Sequence, residues 1–212
     1  IPGIAGHMLA ASIMSAPAAL VISKLIYPET EDTKTIDDLN LNIKKDSENA
    51  MDALGKGATD GLKLAANIGA MLIAFISILS MVNYTLDYVF QINLQEILGY
   101  VFAPLAWMMG IPWEEANVVG RLMGEKIVLT ELIAYGTLGD LINNNMISDR
   151  SAIIASYALC GFANFGSIGI QLGGIGSIAP QKRNILSQIA LKAMIGGALA
   201  SWLTATIAGI LI

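Results

Sequence analysis

Long uncharged stretches alternate with short polar intervals along this chain of 212 residues. Residues 64–86 contain no charged side chain, and as an α-helix this stretch would be about 34 Å long at about 1.5 Å per residue. An apolar helix of that length can cross a lipid bilayer with some tilt. The pattern therefore predicts a membrane protein, in which residues 64–89 form the clearest transmembrane helix.

The same pattern predicts an all-α membrane fold for the rest of the chain. We expect a transmembrane helix at 1–28, a cytoplasmic polar segment with an amphipathic interfacial helix at 29–63, an extracellular interfacial helix at 94–110, a re-entrant helical hairpin at 113–142, a broken transmembrane helix at 150–180 and a last transmembrane helix at 185–212. For the polar segment, a soluble loop with one short helix is an equally good interpretation. Lys and Arg cluster in residues 24–63 and 180–184, which places both on the cytoplasmic side by the positive-inside rule.

Two of these segments interrupt apolar sequence with polar groups. Residues 113–142 carry seven charged side chains, too many for one spanning helix but suited to a hairpin whose tip is buried in protein. Residues 151–181 carry no charge, but they include six glycines and Asn164, which favours a discontinuous helix. Two interrupted, polar-centred segments in one chain indicate a binding site at the membrane midplane of a secondary transporter.

The composition agrees with a membrane protein and removes several other classes. Hydrophobic residues make up 55% of the chain, charged residues 14%, and the mean hydropathy is +0.63. The lone Cys160 excludes an internal disulfide, and the lone His7 has no cysteine partners for a zinc site. No basic stripe with interleaved aromatic residues is present, so nucleic acid is not an expected partner.

Glu131 is the first candidate site residue, because an ionisable side chain at membrane depth costs about 2.5–3.5 kcal/mol on insertion scales. Its carboxylate can form an ion pair with Lys126 or with another membrane-facing cation, which would make it structural. It can also accept hydrogen bonds from both hydroxyls of a vicinal diol such as ribose. An intramembrane enzyme that uses Glu131 as acid or base is a weaker alternative, since no nucleophile or metal set accompanies it.

The sequence Phe162-Ala-Asn164-Phe-Gly-Ser167 supplies the second candidate. In one interpretation it is a glycine-rich kink in which Asn164 caps its own broken backbone. In the other, the break turns Asn164 and Ser167 toward a polar cavity, and Phe162 offers an apolar face to a flat ring.

At these residues the chain resembles the concentrative nucleoside transporter family. Gly124, Lys126, Glu131 and Ala134 match the family motif G-x-K-x-x-x-N-E-F-V-A, with Thr130 in place of the usual Asn. The stretches CGFANFGSIGIQLGG, SIAPQKR and LAASIMSAPAAL with the following PET are also similar to the family. The chain starts on Ile1 without an initiator Met, and we expect it to be the C-terminal half of a longer protein.

The resemblance implies half of an inverted-repeat transporter, a nucleoside symporter of the plasma (inner) membrane that is coupled to Na⁺ or H⁺ and works as an elevator. It places the ribose-binding carboxylate on Glu131, with Thr130 at the hairpin tip. Its polar partners fall on Asn164 and Ser167, and Phe162 lies beside the base. The resemblance implies no other cofactor and no metal site in this chain. The coupling ion is expected to bind in an N-terminal half. The expected partners are that half, lipid and further copies in a homotrimer. A gate-domain membrane protein that moves another solute is the alternative.

Overall fold

The computed structural model describes residues 3–28, 30 and 48–212, and all regular structure in these residues is helical. The helices are α1 (Ile4–Ile26), α2 (Ala50–Phe90), α3 (Leu94–Met108), α4 (Trp113–Val128), α5 (Glu131–Asn143), α6 (Asp149–Leu159), α7 (Phe165–Ile178) and α8 (Arg183–Leu211), with a 3₁₀ turn at Pro180–Lys182 before α8. The predicted all-α fold is confirmed. Residues 29 and 31–47 of the predicted polar segment lie outside the described residues.

Three helical stretches of the described chain are long and apolar enough to cross a membrane. They are Ile4–Ile26, Ala50–Phe90 and Pro180–Leu211. The shorter helix α7 is also apolar. Residues 64–89, the clearest spanning helix predicted from the sequence, form the larger part of α2.

The predicted boundary at residue 63, between a polar segment and the long helix, is wrong. Helix α2 runs unbroken from Ala50 to Phe90. It starts at Asn49, whose side chain accepts a hydrogen bond from the backbone N–H of Asp52 at 2.9 Å. An ion pair of 2.9 Å between Asp52 and Lys56 spans the first turns. Since no proline follows, nothing in the sequence stops the helix before the apolar part begins.

Helix α3 occupies most of the predicted interfacial segment 94–110 and packs closely on α4. An added Cβ at Gly120 of α4 would lie 2.5 Å from the carbonyl oxygen of Gly99 in α3, so the two backbones touch. The opposite side of α3 exposes Tyr100 and Trp107, which are 69% and 55% accessible. Exposed aromatic rings on an apolar helix fit a membrane–water interface, and that position stays a prediction.

The predicted discontinuity in residues 150–180 falls between α6 and α7. Helix α6 ends at Leu159, and α7 begins at Phe165. Gly161 lies between them with φ +110, a backbone conformation that side-chain-bearing residues rarely adopt. The glycine therefore allows the chain to leave one helix and enter the next within a few residues.

Burial is distributed unevenly over the helices. Helices α4, α6 and α8 contribute most of the fully buried side chains, and they form one core that holds the break between α6 and α7. Helix α2 has no buried residue along its whole length. The molecule therefore consists of a packed body and one long helix on its side.

Candidate functional site

Two helix starts meet at the centre of the packed body. Glu131 is the first residue of α5, and Asn164 is the N-cap of α7. The side-chain amide of Asn164 donates a hydrogen bond to Oε2 of Glu131 over 3.0 Å. Helices α4 and α5 occupy the predicted hairpin, and the structure thus joins this hairpin to the broken helix through two residues predicted from the sequence.

Asn164 is itself held by its own helix. Its Oδ1 accepts from the backbone N–H of Ser167 at 2.7 Å, and the Ser167 Oγ accepts from the backbone N–H of Asn164 at 3.3 Å. This reciprocal pair is a capping box, which satisfies N–H groups that a helix start leaves without partners. The interpretation of Asn164 as a backbone cap is therefore correct for its oxygen, while its amide nitrogen is directed at Glu131.

A helix N-terminus and a side-chain donor lie next to the Glu131 carboxylate. Each helix N-terminus carries a partial positive charge, and Glu131 lies in the first turn of α5. Asn164, at the N-terminus of α7, adds a direct donor. Glu131 is only half-buried, so its remaining lone pairs are open to a ligand with hydroxyl donors.

The other predicted site residues take distinct places. Thr130 is the N-cap of α5, and its hydroxyl accepts from the backbone N–H of Ile133 at 3.4 Å. Ser167 is 3% accessible, and its hydroxyl donates to the backbone oxygen of Asn164 at 2.6 Å, so it holds Asn164 in place. Phe162 lies in the break with 66% of its surface exposed. Binding roles for Thr130, Ser167 and Phe162 stay predictions.

The proposed ion pair between Lys126 and Glu131 is absent among the described residues. The Lys126 ammonium instead donates to the backbone oxygen of Ala158 at 2.9 Å, to that of Cys160 at 3.5 Å and to Oγ of Ser201 at 2.8 Å. The sequence does not predict that Lys126 binds the end of α6 and Ser201 of α8. The available signal was a lysine in an apolar stretch five residues before Glu131.

Metal-ligating side chains do not cluster in the part of the chain that the structure describes. No group of three or more His, Cys, Asp and Glu residues lies close enough there to hold an ion. The location of a coupling ion in another part of the transporter stays a prediction.

A carboxylate at two adjoining helix N-termini, in an apolar body with a discontinuous helix, is typical of membrane transport proteins. Residues 7–209 match the family model described as the C-terminus of Na⁺-dependent nucleoside transporters. The chain belongs to this family, which confirms the predicted resemblance. It is a multi-pass membrane protein, and its family is one of transporters and not of enzymes.

Individual relatives agree with the family. The chain is 46% identical to the "Uncharacterized transporter YutK" of Bacillus subtilis, an alignment that covers 97% of this chain and 52% of the relative. A solved structure of the transporter CNTnw, a double variant in an outward-facing state, is 36% identical with a TM-score of 0.84, over 97% of this chain and 50% of that one. CNTnw in an inward-facing substrate-bound state is 39% identical with a TM-score of 0.74, over 96% of this chain and 50% of that one. The chain therefore spans about half the length of the proteins it matches.

Proposed function

We propose that this chain is the C-terminal half of a cation-coupled nucleoside symporter of the plasma (inner) membrane. The observation that carries the proposal is the hydrogen bond between Asn164 and Glu131 at the starts of two helices. The description of the matching family, which names nucleosides and Na⁺, supports the substrate class and the coupling ion.

The chemistry of ribose recognition follows from this pair. The Glu131 carboxylate accepts hydrogen bonds from the 2′- and 3′-hydroxyls, and the Asn164 amide donates to a ribose oxygen. Each hydrogen bond to the charged group contributes about 1.5–3 kcal/mol. A nucleoside that lacks these hydroxyls leaves the carboxylate without partners, and this difference produces selectivity. Phe162 lies in the same break, where its ring packs beside the base.

The transport step is an elevator movement of the packed body along α2. One support is that α2 has no buried residue, so movement along it does not expose side chains of α2 from a hydrophobic core. Another is that the chain aligns over similar shares of CNTnw in two states, yet the TM-score is 0.84 for the outward-facing and 0.74 for the inward-facing structure. A difference of this kind is expected when parts of this half change their relative positions.

The proposed partners fit the exposed surface of α2. Ile73, Met81 and Tyr88 are 70%, 64% and 81% accessible, so an apolar surface is available to lipid and to further copies in a homotrimer. The N-terminal half of the transporter completes the nucleoside site and holds the coupling ion.

Uptake into vesicles that contain the complete transporter tests the proposal. Labelled uridine and adenosine are offered to the wild type and to Glu131→Gln, with a Na⁺ gradient, a proton gradient or none. We expect Glu131→Gln to abolish gradient-driven uptake, because the neutral amide loses the charge-assisted hydrogen bonds. Glu114→Gln changes an exposed carboxylate in the first turn of α4 and serves as the matched control.

Normal uptake by Glu131→Gln would show that Glu131 does not bind substrate. A wild type that moves neither nucleoside would contradict the nucleoside assignment itself. Uptake driven by a proton gradient alone would identify H⁺, and not Na⁺, as the coupling ion.

A further inference from the structure

Lys126 is fully buried, with 0% of its surface accessible, and it carries a charge that the ribose site does not use. Burial of an ammonium group is costly unless it is fully hydrogen-bonded. The three donors of Lys126 have three acceptors within 3.5 Å, namely the backbone oxygens of Ala158 and Cys160 and the hydroxyl of Ser201. These hydrogen bonds therefore hold the Lys126 ammonium group at one place in the core.

That place is the C-terminal end of α6, where the helix stops. The last carbonyl groups of a helix lack intrahelical partners, and this end carries a partial negative charge. Lys126 supplies donors and a positive charge to this end from α4. Tyr135 adds a second clamp from α5, since its hydroxyl donates to the backbone oxygen of Ser156 at 2.8 Å. Both arms of the hairpin thus hold the same helix end.

The positions along the chain link this clamp to the ribose site. Lys126 lies five residues before Glu131, and Cys160 lies four residues before Asn164. The bond from Lys126 to the α6 end therefore joins the two segments directly upstream of the Glu131–Asn164 pair. The contact with Ser201 anchors the same junction to α8.

We propose that Lys126 is a positioning residue, which together with Tyr135 and Ser201 sets the register between the hairpin and the broken helix so that Asn164 faces Glu131. The proposal rests on the nucleoside function given above. It differs from a purely structural role in one measurable respect. A loosened register weakens the grip on the ribose hydroxyls more than it weakens other contacts with the nucleoside.

The test measures the dissociation constants of uridine and of 2′- and 3′-deoxyuridine for the complete transporter. In Lys126→Met, which keeps most of the unbranched side chain and removes the ammonium group, uridine affinity falls by at least about tenfold. Affinity for each deoxy analogue, which keeps only one of the two hydroxyls, falls by less, so the preference for uridine over the deoxy analogues narrows. Lys192→Met removes a lysine of α8 that lies over the ring of Tyr27, and this control keeps the wild-type preference.

Two milder variants keep the test informative if Lys126→Met does not fold. Tyr135→Phe and Ser201→Ala each remove one hydroxyl from the clamp, and each is expected to narrow the preference for ribose severalfold. An unchanged preference in all variants that fold would overturn the role of Lys126. A wild type with no preference for uridine over its deoxy analogues would overturn the ribose site and this proposal together.

Discussion

The two parts of the broken helix are attached to their neighbours in opposite ways. The end of α6 is held by buried hydrogen bonds from Lys126 and Tyr135. Helix α7 instead lies on α2 through glycines, and among the described residues no hydrogen bond joins these two helices. An added Cβ at Gly169 would lie 3.1 Å from Phe75 of α2, and one at Gly173 would lie 3.2 Å from the backbone oxygen of Asn67.

This difference separates a fixed contact from one that can slide. Buried directional bonds specify one arrangement, because every broken bond leaves a buried polar group without a partner. The contact between the glycines of α7 and the side-chain and backbone atoms of α2 contains no such directional bond. We infer that the hairpin, α6 and α8 move as one body and that α2 supplies the surface along which α7 moves.

The largest effect is expected from removing the Asn164 side chain, which joins the start of α7 to Glu131. Asn164→Ala removes both the helix cap and the donor to Glu131, so nucleoside affinity should fall by roughly two orders of magnitude. Equilibrium binding of uridine measures the loss. Asn117→Ala, an exposed position on α4, is the control, and an Asn164→Ala variant that binds like it would contradict the account.

A smaller effect is expected from adding a methyl group at Gly169, where α7 contacts α2. Gly169→Ala places a methyl group 3.2 Å from the Cβ of Met71, tighter than an ordinary contact, so the body should move more slowly along α2. Uptake should slow severalfold while the dissociation constant for uridine stays unchanged. At Gly174 the nearest atom would be 3.7 Å away, so Gly174→Ala should transport normally. Equal slowing in both variants would argue against a sliding contact at Gly169.

Local features of this molecule could be predicted from the sequence where a residue type, such as glycine or a charged residue in an apolar stretch, indicates a particular structure. The discontinuity was predictable because glycines and Asn164 interrupt an uncharged stretch, and the structure has its break at Gly161. The same applies to Glu131, whose charge stands out in apolar surroundings. Glu131 and Asn164 are both predicted as site residues, and in the structure a hydrogen bond joins them.

Features that depend on distant contacts could not be read in this way. Lys126 and Ser201 are 75 positions apart, and α6, which packs against both α4 and α8, brings their helices together. The continuity of α2 is not predicted for a local reason, since the polar composition before residue 64 indicates a separate element. The cap at Asn49 and the ion pair between Asp52 and Lys56 allow a polar start to continue into an apolar helix.

The most direct test of the central claim combines a change in the protein with a change in the ligand. Dissociation constants of uridine, 2′-deoxyuridine and 3′-deoxyuridine are measured for the complete wild-type transporter and for Glu131→Gln. If the carboxylate grips the two hydroxyls, the wild type prefers uridine by at least about tenfold per hydroxyl, and Glu131→Gln loses most of this preference. An equal preference in both proteins would contradict the account, because the ribose hydroxyls would then bind elsewhere.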